Sequence, residues 1–234
     1  MQIYWSKLID VITESPEVKT FVFECPEDYT WEEGSHIHLA FEGFNAGEKP
    51  DRSLIRHMSI STLKDENTIG ITTRIRQDAS KFKQILNEMP IGSEAAIFKT
   101  HTNVPLKREG KNIYMLSSGV GLATFRPLAL DYLSNNDNVA KIHSLNIDSS
   151  KNYLFTNIFE SSADKNLTAH FVGSRSEYYE EAAKLTEDKD GLFYVVGSDE
   201  FLRQNIELLL KQGIPNHQIM LDKHEGQREK FFAN

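Results

Sequence analysis

The chain has 234 residues, 26 basic and 34 acidic for a formal net charge of -8, and one cysteine, Cys25. This length suits two domains. The acidic total speaks against generic nucleic-acid binding, and a lone cysteine excludes an internal disulfide or a cysteine-ligated iron–sulfur cluster.

The first half reads as short strands: Ile3–Ile12, Val18–Glu24, His36–Phe41, His57–Thr62, Ile69–Ile75 and Ser93–Phe98. Turn signals such as Ser15-Pro16, Glu33-Gly34 and Ile91-Gly92 separate them. Six strands at this spacing predict a small antiparallel barrel. One stretch, Ser80–Met89, places Phe82, Ile85, Leu86 and Met89 at helical spacing, with Asp78 or Ser80 as its N-cap. The run Leu106–Lys111 is polar and basic and reads as a linker, giving expected domains 1–108 and 109–234.

Beyond it strands alternate with helices. Strands are expected at Ile113–Ser117, Val139–Leu145, Leu167–Val172, Leu192–Val196 and Gln218–Asp222. Helices are expected at Ala123–Leu133, Tyr153–Ser161, Ser176–Leu185 and Glu200–Gln212. The alternation predicts an α/β domain with a parallel, doubly wound, Rossmann-like sheet. No run approaches the ~20 apolar residues of a membrane span. The start Met1-Gln2-Ile3-Tyr4-Trp5 lacks a basic region followed by an apolar run, so the expected compartment is the cytoplasm.

Two glycine turns follow strands. The segment Ser117-Ser118-Gly119-Val120-Gly121-Leu122-Ala123-Thr124-Phe125 opens a helix, where unpaired N–H groups and a partial positive charge suit a pyrophosphate. The match to G-x-G-x-x-G is partial, because Thr124 holds the third glycine position. A tight strand-to-helix turn without a ligand is the other reading of this segment. Val196-Gly197-Ser198-Asp199-Glu200 makes a second such turn at the carboxyl end of another strand, the edge where open α/β sheets bind ligands. In the first half, Arg56, Arg74, Arg76, Ser80 and Lys81 are concentrated within a short stretch of an acidic protein, which points to an anion or phosphate site on the barrel.

These motifs, in this order, resemble the ferredoxin–NADP reductase superfamily of flavoproteins. Members carry R-x-Y-[ST] on a barrel strand, a serine at a short helix start, a loop close to G-[IV]-G-[IL]-[AT]-P-F, and C-G-x-P-x-x-[ML] with a following G-[VI]-P turn. The counterparts here are Arg56-His57-Met58-Ser59, Ser80-Lys81-Phe82, Gly119–Phe125, Val196–Leu202 and Gly213-Ile214-Pro215. The resemblance spans residues ~50–220.

The resemblance implies an FAD-binding barrel followed by an NAD(P)-binding domain, and an NAD(P)H-dependent reductase that moves hydride from nicotinamide C4 to flavin N5. Arg56 would hold the FAD pyrophosphate, with Ser80 and Lys81 at the helix start. Ser59 would sit near flavin N5. His57 and Met58 complete that motif, and Thr72, Thr73 and Arg74 would border the flavin. Met58 stands where the family has its stacking tyrosine; a thioether packs on a ring but has no hydroxyl. Gly119, Val120, Gly121 and Thr124 would surround the dinucleotide phosphates. Gly197 and Ser198 would face the nicotinamide, with Ser59 and Gly197 nearest the reacting atoms. The family's cysteine position is Val196 and its proline position Thr124.

Ser174 and Arg175, followed by Tyr178 and Tyr179, resemble a pocket for the NADP 2′-phosphate, so NADPH is favoured over NADH. Phe232 or Phe231 would cover the flavin, or else pack as a surface tail. The implied electron acceptor is a separate molecule: a ferredoxin, a flavodoxin, an iron chelate or haem, or a quinone-like compound. The alternative is a flavin-binding electron-transfer subunit of a larger complex with little NAD(P)H activity of its own, motivated by the departures at Met58, Thr124 and Val196. His36 and His38 alternate on one strand, but with no third ligand they read as polar-face barrel histidines, and no metal site is expected.

Overall fold

A computed structural model describes residues 2–160 and 166–232 of the chain. The chain divides after Thr102 into two compact units.

The first unit is a six-stranded antiparallel sheet. Its strands are β1 (Tyr4–Ser15), β2 (Val18–Glu24), β3 (Ser35–Ala40), β4 (Ile55–Ser59), β5 (Thr68–Arg74) and β6 (Glu94–Thr102), in the order β4-β3-β6-β1-β2-β5. Period-two apolar positions build its core. Phe21 and Phe23 of β2, Ile37 and Leu39 of β3, Ile69 and Ile71 of β5, and Ala95 and Ile97 of β6 are all buried in one cluster. Each such large side chain contributes about 1.5–3 kcal/mol on leaving water. The helix α1 (Lys81–Glu88) closes one end, with Phe82 and Leu86 in the same cluster and Phe82 4.7 Å from the Phe41 ring centroid.

The ends of the sheet are joined just past β4. Ser61 donates its backbone N–H to the Gly70 carbonyl (2.8 Å), Gly70 N–H donates to Thr62 Oγ1 (2.9 Å), and Thr62 Oγ1 donates to the Thr68 carbonyl (2.7 Å). A Cβ on Gly70 would stand 2.7 Å from Thr62 Cγ2, so only glycine fits this seam. The predicted barrel is thus observed, with its seam at a hairpin.

The second unit is a five-stranded parallel sheet. Its strands are β7 (Lys111–Ser118), β8 (Val139–Ile147), β9 (Leu167–Val172), β10 (Leu192–Val196) and β11 (Ile219–Leu221), in the order β11-β10-β7-β8-β9. Its helices are α2 (Leu122–Ser134), α3 (Thr156–Phe159), α4 (Arg175–Leu185), α5 (Asp199–Lys211) and α6 (Glu225–Phe232). All five residues of β10 are buried, as a strand covered on both faces requires. The order, counted within the unit, is 3-2-1-4-5, the Rossmann arrangement.

Three local differences from the sequence expectation have physical causes. The run predicted as a linker is held by the second unit: Lys107 N–H donates to the Tyr194 hydroxyl (3.0 Å), and Arg108 pairs with Asp131 (2.7 Å). The helix predicted over Tyr153–Ser161 is reduced to α3, because Phe155 takes a left-handed conformation (φ 54°) that ends helical continuity; Ser161 lies outside the described residues. The C-terminal helix α6 was not predicted; Gly226 inside it lowers helix propensity, and Ala233 and Asn234 lie outside the described residues. Among the described residues, no helix is long and apolar enough to cross a membrane.

Candidate functional site

In the second unit, strand order reverses between β7 and β10, and both glycine turns lie there. Ser117 pairs with Val196 at the carboxyl ends of these strands. Beyond Ser118, Gly119–Gly121 make a 3-10 turn that runs into α2, with Gly119 at φ 53°. That left-handed position suits glycine. A Cβ on Gly121 would stand 2.8 Å from the Val196 carbonyl oxygen, so the two turns touch through backbone. A Cβ on Gly197 would meet Phe201 Cδ1 at 2.6 Å. Val120 is half-buried, whereas Thr124 is buried in the first turn of α2. Ser198 caps α5, its Oγ accepting from Phe201 N–H (3.2 Å).

A residue not singled out from sequence braces the first turn. Asn146, buried at the end of β8, donates to Ser117 Oγ (2.8 Å) and to the Gly119 carbonyl (3.3 Å). Its signal was an amide between Leu145 and Ile147, in a strand otherwise bound for the core.

The residues expected around a 2′-phosphate gather at the starts of α4 and α5. Ser174 caps α4, accepting from Glu177 N–H (3.3 Å). Arg175 is 70% exposed and pairs with Glu200 (3.2 Å). Tyr179 donates to Gln204 Oε1 (2.7 Å), and Gln204 donates to Glu200 Oε1 (3.1 Å). Tyr178 is fully buried and donates to Asn205 Oδ1 (2.8 Å); burial raises its hydroxyl pKa well above the usual value. Of the two tyrosines, only Tyr179 keeps an exposed surface. Phe232 packs, partly buried, against the second unit's core, with the Arg228 guanidinium 5.6 Å from its ring centroid. Phe231 carries Arg203 at 4.8 Å.

In the first unit, the register divides Arg56-His57-Met58-Ser59 between two faces of β4. Arg56 pairs with Leu39 and Met58 with Ile37, both core positions, so these two lie on the interior side. His57 pairs with His38 and Ser59 with His36 on the outer side. Met58 accordingly packs against the barrel core. Arg56 Nη1 donates to the carbonyls of Arg52 (2.8 Å) and Ile55 (2.7 Å), and its guanidinium lies 5.6 Å from the Phe82 ring centroid.

Next to it, cations converge. Lys83 of α1 donates to the Arg74 carbonyl (2.8 Å). Its pKa is lowered by burial first, then by the charges of Arg76, Arg74 and Arg56. Lys83 thus joins the cluster expected from sequence, a member missed because only the fold turns it toward β5. Ser80 stands at the N-cap of α1 without a side-chain cap bond, and Ser80 and Lys81 are exposed. Thr72 is occupied within the sheet, donating to Ser61 Oγ (2.8 Å) and hydrogen-bonded to Thr20 (2.8 Å), and Thr73 is buried. Among the described residues, no group of three or more His, Cys, Asp or Glu side chains is arranged to hold a metal ion.

No protein-family model and no curated protein sequence matches the chain. Solved structures do. A ferredoxin NADP+ reductase from Neisseria gonorrhoeae, with bound FAD and NADP, aligns over 94% of this chain and 98% of its own, with a TM-score of 0.78 at 18% identity. The CS-b5R domains of human Ncb5or, in an NAD+ form, align over 95% of this chain and 70% of that one (TM-score 0.78, 16% identity). The cytochrome b5 reductase domain of Ulva prolifera nitrate reductase aligns over 94% and 97% (TM-score 0.75, 15% identity). The chain has the two-domain fold of these reductases.

Proposed function

We propose that the chain is an FAD-containing, NAD(P)H-dependent oxidoreductase that passes electrons from nicotinamide through flavin to a separate acceptor. One observation carries the reading: two glycine turns in backbone contact at the strand-order reversal of a Rossmann sheet. Such a crevice is where these sheets take dinucleotides. The barrel supplies the second half, a cluster in which burial first, and then the charges of Arg76, Arg74 and Arg56, lower the Lys83 pKa. A pyrophosphate offsets those charges, so the residues present fit FAD.

In this reading Arg56, with Arg74, Ser80, Lys81 and Lys83, holds the FAD diphosphate. His57, Met58 and Ser59, with Thr72 and Thr73, border the flavin through strand edges more than through free side chains. Gly119, Val120 and Gly121 admit the nicotinamide dinucleotide's phosphates against backbone N–H groups, and Thr124 supports that turn from within. Ser59 of the first unit and Gly197 of the second are the candidates for the hydride-transfer step, and Ser198 caps α5 directly after Gly197. Asn146 fixes the glycine turn. FAD held by these residues would supply two-electron exchange with nicotinamide and onward delivery singly or in pairs.

Arg175 and Ser174 are the candidates for a 2′-phosphate, which favours NADPH; the Neisseria relative carries NADP and the human one NAD+. Phe232, packed against the second unit's core, is given no contact with the flavin in this reading. The acceptor is a ferredoxin, a flavodoxin, an iron chelate or haem, or a quinone-like compound.

The test is anaerobic. Protein reconstituted with FAD is mixed with NADPH or NADH while the flavin absorbance near 450 nm is followed. Bleaching is expected. FAD retained without bleaching by either coenzyme makes the chain an electron-transfer subunit, and no FAD binding at all removes the flavoprotein reading.

A further inference from the structure

The outer face of β3, β4 and β6 carries a cavity of about 830 Å³. Its lining brings His38, His57, Phe44 and Phe98 together with Arg52 and Lys99. This volume lies within the range of small-molecule sites. His57 and Ile55 reach it from the side of β4 opposite Met58, while Arg56, the one lining residue that also belongs to the arginine cluster, closes its edge.

The chemistry of the lining is consistent. Aromatic rings form the floor: Phe44 stacks on Phe98 (5.3 Å, 16°), His38 lies 5.1 Å from Phe98, and the rings of His38 and His57 are 3.9 Å apart. Lys49, Arg52, Arg56 and Lys99 supply the cations. The same loop contains Glu42, Glu48 and Asp51, but none lines the cavity, and Asp51 is engaged with Ser53 N–H (2.8 Å). An acidic protein therefore presents a ring-floored, cation-rimmed hollow.

The backbone is bent to build it. Between Phe98 and His101, β6 has one residue more than β3 has between His38 and His36, a β-bulge. Lys99 sits at the bulge with φ 52°, a left-handed conformation that a lysine rarely adopts. The extra residue sets His101 opposite His36 while Phe98 stays opposite His38, gathering four imidazoles on one face. Burial first, then His57, Lys99, His36 and His101, holds His38 down at about 4, so its ring is neutral at pH 7 and ready to pack or to hydrogen-bond.

We propose that this cavity binds a small aromatic molecule carrying a phosphate group, the ring on the His38–His57–Phe98 floor and the phosphate against Arg52 and Lys99. The cavity shares Arg56 and His57 with the residues assigned to the flavin, so the proposal rests on the phosphate lying at Arg52 and Lys99, and competition with FAD separates the two sites.

The test follows the His38 and His57 ring C–H signals by NMR in the FAD-supplemented full chain, titrated with phenyl phosphate. Saturable shifts at both rings and a rise of the His38 pKa are expected, with inorganic phosphate binding at least fivefold more weakly. Arg52→Gln with Lys99→Asn should weaken phenyl phosphate at least tenfold and leave FAD loading unchanged; asparagine tolerates the left-handed position. Absence of a saturable shift at His38 in the unaltered chain overturns the proposal whether or not the variant folds. So does equal binding by the variant, or displacement of phenyl phosphate by FAD, which would make the cavity part of the flavin site.

Discussion

The Val196 carbonyl oxygen lies 2.8 Å from the point where a Cβ on Gly121 would stand. The backbone of the β10 turn therefore forms one wall of the β7 turn. Gly121→Ala forces that carbonyl away, which costs about 1–3 kcal/mol as overpacking. Urea unfolding should show the loss as a lower midpoint, and flavin reduction by NAD(P)H should fall further than the stability loss explains.

Arg56 lies beside α1, its guanidinium 5.6 Å from the Phe82 ring centroid. Arg56→Ala should weaken FAD by roughly 10- to 100-fold, the worth of a charge-assisted hydrogen bond of about 1.5–3 kcal/mol. Arg56→Lys keeps the charge without the fork and should fall between. Flavin absorbance remaining after desalting measures both. A fully loaded alanine variant would displace the pyrophosphate from this position.

Arg175, the residue proposed for the coenzyme 2′-phosphate, pairs with Glu200. Arg175→Ala should raise the KM for NADPH more than that for NADH. Glu200→Gln frees the guanidinium and removes a carboxylate that repels phosphate, so it should lower the KM for NADPH a few-fold and leave NADH nearly unchanged. Steady-state kinetics with both coenzymes separates these outcomes; equal effects on the two would remove Arg175 from the 2′-phosphate pocket.

His38 gives the barrel an acid-sensitive limb. Its folded pKa is held at about 4, against 6.5 for an ordinary imidazole. Between these values the unfolded chain binds a proton that the folded chain refuses. Stability should therefore decline as pH falls from about 6.5 toward 4 and stay flat, for this group, above that window. His38→Gln should shrink the drop in urea midpoint between pH 7 and pH 5; an unchanged drop would assign the acid limb elsewhere.

Much of this was legible because apolar spacing is a local signal. The bounds of β2, β9 and β10 coincide with the runs read from the sequence, since each is a compact apolar stretch between turn residues. β4 starts earlier than expected, at Ile55, because Ala40 of β3 reaches it as a pairing partner. β6 runs on to Thr102 because a bulge lets it follow β3 past Lys99. The glycine turns were readable from their own residues. Lys83, Asn146 and the meeting of His36, His38, His57 and His101 were not, because each depends on which strands become neighbours. His36 and His38 were visible as a pair; the other two imidazoles arrive by register alone.

The sheet order of the barrel bears on how the chain is made. β6 is the last of its strands in sequence, yet it lies between β3 and β1, joining β4-β3 on one side to β1-β2-β5 on the other. Before β6 leaves the ribosome, the nascent chain can pair β1 with β2, β2 with β5 and β3 with β4, but the β3–β6–β1 join is missing. The central join must wait for a strand some ninety residues after the first, a non-local closure of the kind that slows folding. Leu39 of β3 thus gains its partner Ile97 only when β6 arrives, a late contact that leaves apolar surface exposed and aggregation-prone until then.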